Sequence, residues 1–158
     1  MSKSLVAYFS ASGVTKRLAE RLADEIGADI FEIQAETPYT DADLDWQDRD
    51  SRSSIEMNDR SCRPAIRTKI TDMEQYDVVF VGFPIWWYRE PSIIDTFMES
   101  CDFSGKTVIP FATSGGSGMG SSGRNMAALA SGAKVLDGKC FPVNVTGREL
   151  ADWAAKWL

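Results

Sequence analysis

The sequence predicts one α/β domain in which a parallel sheet of five strands lies between two layers of helices. Three observations point there. Apolar runs too continuous for half-exposed strands occupy residues 5–9 and 77–83, segments with helical spacing alternate with the strands, and loops of small or aromatic residues follow the strand ends. With 158 residues, 44% of them hydrophobic, the chain suits a single core, read here as one domain over 1–158.

Residues 5–9 (Leu-Val-Ala-Tyr-Phe) read as the first strand, buried on both faces. Val14, Leu18, Leu22 and Ile26 then repeat every four residues beside Ala19 and Ala23, the stripe of a helix that Gly27 closes. Residues 29–35 alternate polar and apolar, as in a strand with one wetter face near a sheet edge. Residues 36–73, crowded with Asp, Arg and Ser and containing Pro38 and Pro64, read as a long surface connection. A structureless loop of that length is unusual, so one short helix is placed around 52–58.

Residues 77–83 make the strongest strand, β-branched and apolar, which Pro84 stops. Pro91 opens the next helix at its first position, with Ile93, Ile94, Phe97, Met98 and Cys101 on one face. Residues 106–113 form a fourth strand despite Pro110. A glycine and serine loop leads into a helix through Met126, Leu129 and Ala130, and a fifth strand falls around Val135 or across 140–143. Leu150, Trp153, Ala154 and Trp157 space a closing helix over 149–158.

Composition excludes several functions. Seventeen basic residues against 23 acidic ones give a net charge of −6, which repels nucleic acid and anionic lipid. The chain has no histidine, so Ser-His-Asp and Cys-His catalysis and most catalytic zinc sites are ruled out. Cys62, Cys101 and Cys140 lie far apart, without metal or disulfide spacing, and suit a reducing compartment. No segment has the length of a bilayer span or a signal-peptide core, and the expected location is cytoplasmic.

Three loops follow strand ends: 10–15, 84–90 and 113–120. In a doubly wound sheet ordered 2-1-3-4-5, the loops after strands one and three flank the switch point where ligands bind, and the loop after strand four lies alongside. Ser10, Ala11, Ser12, Gly13, Val14 and Thr15 put three hydroxyls and a glycine at a helix start, a phosphate cradle without the lysine of a nucleoside-triphosphate loop. Ser12 reads equally well as an ordinary helix N-cap. Pro84, Ile85, Trp86, Trp87 and Tyr88 hold three adjacent aromatics, which cannot all face the core, so at least one is exposed or stacks on a planar ligand. Thr113, Ser114, Gly115, Gly116 and Gly118 carry little bulk and let backbone approach a ligand closely. Residues 118–123 spell GxGxxG, but too far beyond the strand and without the acidic partner of a dinucleotide site.

On these residues the chain resembles the flavodoxin family, in particular members with a long segment between strands two and three. Residues 8–15 look like the family's phosphate loop, 82–87 like its second flavin loop and 113–116 like its third. The resemblance implies a flavodoxin-like three-layer sandwich and non-covalent FMN. The phosphate would rest on Ser10, Ser12, Gly13, Val14 and Thr15, held by hydroxyls and N–H groups rather than by Lys or Arg. Trp86 or Trp87 would stack on the ring, with backbone groups of Ile85, Trp87, Ser114, Gly115 and Gly116 at its polar edges. The third loop lacks the aromatic that many family members place there, leaving Met119 or the 36–73 segment to cover the other ring face. The second loop also lacks the glycine that follows the strand in familiar members.

The function implied is an FMN-binding electron-transfer protein in which no side chain acts as acid or base. The alternative is an FMN-dependent reductase passing electrons from a nicotinamide to a quinone-like acceptor. Expected partners are a reductase donor and an acceptor protein, or a small quinone-like acceptor. Asp41, Asp43, Asp45, Asp48 and Asp50 read either as an acidic docking patch or as a solvated loop.

Overall fold

The computed structural model describes residues 3–113 and 118–158. Its strands are β1 (Lys3–Tyr8), β2 (Asp29–Glu32), β3 (Tyr76–Pro84), β4 (Thr107–Thr113), β5 (Lys134–Val135) and β6 (Lys139–Phe141). Its helices are α1 (Val14–Ile26), α2 (Arg52–Asn58), α3 (Ser92–Ser100), α4 (Ser122–Leu129) and α5 (Gly147–Ala154). The sheet is parallel and runs β2-β1-β3-β4-β5, with β6 also on β4, so the fold class is the one the sequence predicts.

Alternate residues of the central strands feed two apolar layers. On one face Leu5, Val79, Val81 and Phe83 pack with Ile93, Phe97 and Met98 of α3 and Met126 of α4. On the other, Val6, Val78, Phe80 and Phe111 pack with Leu18 and Leu22 of α1 and Leu150 and Trp153 of α5. Strands buried on both faces lose their alternation, which is why β1 and β3 read as unbroken apolar runs. Trp153 belongs to the core, edge-on to Phe141 at 4.9 Å.

Five details differ from the sequence reading. The fifth position is two short strands rather than one: β5 pairs with Thr107 and Val108, and β6 with Phe111, Ala112 and Thr113. The break lies beside Pro110. The carbonyls of Lys106 and Val108 face this edge and accept from Lys134 and Leu136, so alternation turns position 110 the same way, where proline has no N–H to offer. Pro84 does not stop β3 but ends it in register with Thr113. Pro91 caps α3 from outside, with Ser92 as the first helical residue. β2 ends at Glu32, after which Ile33 bonds Tyr8 and Ala35 bridges to Ile66 in the long connection. The last helix starts at Gly147, two residues earlier than expected, where Thr146 and Glu149 form a reciprocal capping box, and it finishes as a 3₁₀ turn over Ala155–Trp157. The short helix α2 stands where the connection was expected to carry one.

Gly82 pairs across the sheet with Phe111, whose ring lies over it; a Cβ there would fall 2.3 Å from a ring atom. Phe111 is fully buried and cannot swing away. Gly82→Ala is expected to lower the unfolding free energy by about 1–3 kcal/mol through overpacking, measured by urea denaturation.

Candidate cofactor site

The carboxyl ends of β1, β3 and β4 are tied together. Phe9 donates its backbone N–H to Gly82 O at 2.9 Å and Ile85 donates to Thr113 O at 2.9 Å. The hydroxyls of Thr15 and Thr113 meet at 2.8 Å, and both residues are buried. These bonds bring loops 10–15 and 84–90 and the end of β4 to one crevice at the reversal in chain order. Ser114, Gly115 and Gly116 lie outside the described residues.

In the first loop Gly13 donates its N–H to Ser10 Oγ at 3.1 Å and then enters α1 with φ 93°, a left-handed conformation that suits glycine. Ser12 is not the cap. Gly13 occupies that position, Ser10 has already taken the turn's N–H, and Ser12 points to solvent. Among the described residues no side chain caps α1. The N–H groups of Val14, Thr15 and Lys16, which have no acceptor within their own helix, therefore carry no bond among the described residues and make its positive end a ready anion site. Ala11 packs against the core instead of facing this point. Arg17 adds a cation that the residue pattern did not single out: its Nη1 lies 3.7 Å from where a Cβ on Gly13 would stand.

The second loop closes as a two-residue hairpin. Trp86 and Arg89 exchange both backbone hydrogen bonds, at 3.0 and 3.2 Å, and Trp87 and Tyr88 at the tip have φ 50° and 64°. Turns with two left-handed residues favour Asn and Gly, so two bulky aromatics there are under strain. Trp86 turns inward, edge-on to Phe9 at 5.7 Å and to Tyr39 at 5.6 Å, which commits it to packing. Trp87 and Tyr88 remain exposed, at 37% and 74%. Of the two tryptophans, Trp87 is the one with a face free for a planar ligand. The N–H of Ile85 is used by Thr113, so it cannot serve a ring edge; those of Trp87 and Tyr88 carry no bond among the described residues.

Gly120, at the end of the third loop, lies against this hairpin. A Cβ on Gly120 would lie 1.9 Å from Tyr88 O, which also accepts from Ser121 N–H at 3.4 Å. Gly118 is exposed with open space around it, and Met119 is half-buried against the core.

The long connection braces the site from below, a role its polar composition concealed. Tyr39 donates to Glu56 Oε1 at 2.5 Å, and Arg52 covers the Tyr39 ring at 3.8 Å while donating to Glu56 Oε2 at 3.0 Å. α2 thereby presses Tyr39 onto Trp86. Beneath the hairpin, Glu90 is 0% exposed and accepts from Asn125 Nδ2 at 3.0 Å, while Arg60 holds Asn125 Oδ1 at 2.8 Å. Burial, followed by the hydrogen bond to Asp95 and its negative charge, pushes the Glu90 carboxyl up to about 8. Tyr39, Glu90 and Asn125 carried no motif signal, because each gains its role from partners distant in sequence.

A flavodoxin family model matches residues 3–157, and the chain belongs to the flavodoxin family. Among solved structures it is similar to a protein from Bacteroides eggerthii DSM 20697, provisionally described as a flavoprotein, with 45% identity, TM-score 0.91, and coverage of 99% of this chain and 98% of that one. A flavoprotein from Lactobacillus acidophilus NCFM in complex with FMN shares 23% identity and TM-score 0.72, with 99% of both chains covered. Oxidised flavodoxin 2 from Bacillus cereus shares the fold at 14% identity and TM-score 0.56, over 99% of this chain and 97% of that one. A search of curated proteins found no match. Among the described residues no helix is long and apolar enough to cross a membrane.

The strain at the hairpin tip is testable. Tyr88 is too exposed to lose much packing, so Tyr88→Gly is expected to stabilise the apo-protein by about 0.5–1 kcal/mol, seen as a higher urea midpoint. Other exposed aromatics exchanged for glycine should be neutral or destabilising.

Proposed function

We propose that the chain binds FMN non-covalently and serves as an electron-transfer flavoprotein. The observation that carries this reading is the uncapped start of α1 on the same crevice as the exposed Trp87 face, an anion site and an aromatic platform held together by the β1–β3–β4 seam. The family and the FMN-bound relative support it.

FMN, once bound, supplies the one- and two-electron chemistry. The chain's residues do the rest. Open N–H groups of Val14, Thr15 and Lys16 receive the phosphate, with the Ser10 and Thr15 hydroxyls beside them and Arg17 contributing positive charge. Trp87 offers a stacking face, and the N–H groups of Trp87 and Tyr88 offer donors to the polar ring edge. The Gly120 approach to Tyr88 holds the start of α4 against the second loop.

The first test is titration of the apo-protein with FMN and with riboflavin, followed by flavin fluorescence. FMN should bind markedly more tightly than riboflavin. Arg17→Gln should weaken FMN by about 0.5–1 kcal/mol while leaving riboflavin unchanged, as expected of a solvent-accessible ion pair. Failure to bind FMN sinks the proposal. Stepwise reduction of the loaded protein then addresses its role: electron uptake that waits for a reductase supports a carrier, whereas rapid reduction by NADPH alone supports the reductase alternative.

A further inference from the structure

Two buried carboxyl groups meet where the second loop, the third loop and the long connection join. Glu90 follows the Trp87–Tyr88 hairpin directly, and Asp95 lies in the first turn of α3; they are 0% and 3% exposed. One guanidinium nitrogen, Arg89 Nη1, stands within 3.6 Å of both carboxyl groups, and Asp95 is among the causes that raise Glu90. Among the described residues Glu90 Oε2 and Asp95 Oδ1 have no hydrogen-bond donor. Two carboxylates cannot bond face to face, whereas a carboxylic acid and a carboxylate can.

The neighbouring cations do not remove the need for that proton. Arg89 Nη1 stands 3.6 Å from Glu90 Oε2 and 3.5 Å from Asp95 Oδ2, too far to donate well. Its donors go instead to Glu90 O at 3.0 Å, Met57 O at 3.2 Å and Ser92 Oγ at 3.3 Å. Arg63, from the long connection, is 3.9 Å from Asp95 but is engaged at 2.6 Å by Glu99 of α3. From α4 the group facing Glu90 is the neutral amide of Asn125, which Arg60 holds by its oxygen. One close guanidinium therefore faces two dry carboxyl groups, and a single proton balances them.

We propose that Glu90 is a positioning residue for the flavin ring: one proton shared with Asp95 lets this junction close, and its loss loosens the hairpin and the start of α4 and weakens flavin binding. The link to the ring is structural. Asn125 ties Glu90 to α4 and donates to Ser121 Oγ at 3.1 Å, and Ser121 N–H bonds the carbonyl of Tyr88 at the hairpin tip. A second carboxylate formed at Glu90 would strain both loops that flank the crevice. This inference rests on the FMN reading above. The raised Glu90 value, about 8 against an ordinary 4.5, sets the window. A carboxyl raised on folding contributes stability that is full below about 4.5 and is lost as pH rises through about 8.

The test compares wild type, Glu90→Gln and Asp95→Asn from pH 7 to 9, above the phosphate's own titration near about 6. FMN affinity of the wild type should fall about fivefold or more across this range. Glu90→Gln, whose amide mimics the protonated acid, should match wild type at pH 7 within about threefold and hold that affinity to pH 9. Asp95→Asn should also be flat, and it decides the matter if Glu90→Gln does not fold. Thermal melting of the apo-proteins gives an independent readout: the wild-type midpoint should fall from pH 6 to 9 and the variants' should not. A flat wild-type profile, or variants with the wild-type slope, would overturn the proposal. Absence of FMN binding at every pH would sink the cofactor reading, leaving the melting profiles to decide whether the junction holds a proton.

Discussion

Pairing of β3 with β1 on one side and β4 on the other places Gly82 opposite Tyr8 and Pro84 opposite Thr113, so three chain segments far apart in sequence leave the sheet side by side. The hydrogen bonds beyond the strands, from Phe9 to Gly82, from Ile85 to Thr113 and between Thr15 and Thr113, carry that register into the loops. A ligand spanning an anion site and an aromatic platform requires both to stay at fixed separation, and this seam provides it. The Thr15–Thr113 bond is buried, so losing either hydroxyl leaves an unpaired polar atom as well as a looser loop.

Above this rigid seam the site holds features that oppose stability. The start of α1 has no side-chain cap among the described residues, and two aromatics sit in left-handed conformations at the hairpin tip. Each is a cost in the empty protein that a ligand can offset, the former by accepting from open N–H groups and the latter by using the exposed indole. Sustaining them falls to the surroundings. Tyr39, clamped by Arg52 and Glu56, fixes Trp86 from one side, and the Arg89, Glu90 and Asp95 cluster supports the hairpin from below. The long connection thus acts as a brace for the second loop.

Where local pattern decides structure, the sequence was readable. β1 and β3 announce themselves by apolar runs, α1 by its four-residue stripe and Gly27, and α2 lies where a loop of such length needed structure. Loops 10–15 and 84–90 and the end of β4, which small residues and aromatics at strand ends single out, are segments that the structure brings side by side. What escaped depends on distant partners. The break between β5 and β6 reflects a missing donor on the neighbouring strand, at Pro110. Ser12 has the chemistry of a cap, but the bond from Gly13 to Ser10 shifts the cap by one residue. Trp86 and Trp87 are indistinguishable in sequence, and only Phe9 and Tyr39 turn one inward and leave the other outside. Nothing in its local pattern marks Glu90, whose burial and bond to Asn125 depend on α4.

The proposed function requires separate loops to grip one phosphorylated flavin. Amide chemical-shift mapping of the apo-protein on addition of FMN tests it most directly. Coincident shifts are expected at Gly13, Val14, Thr15 and Lys16 and at Trp87 and Tyr88, saturating at the same FMN concentration. Shifts confined to one of these loops, or centred elsewhere on the sheet, would contradict it.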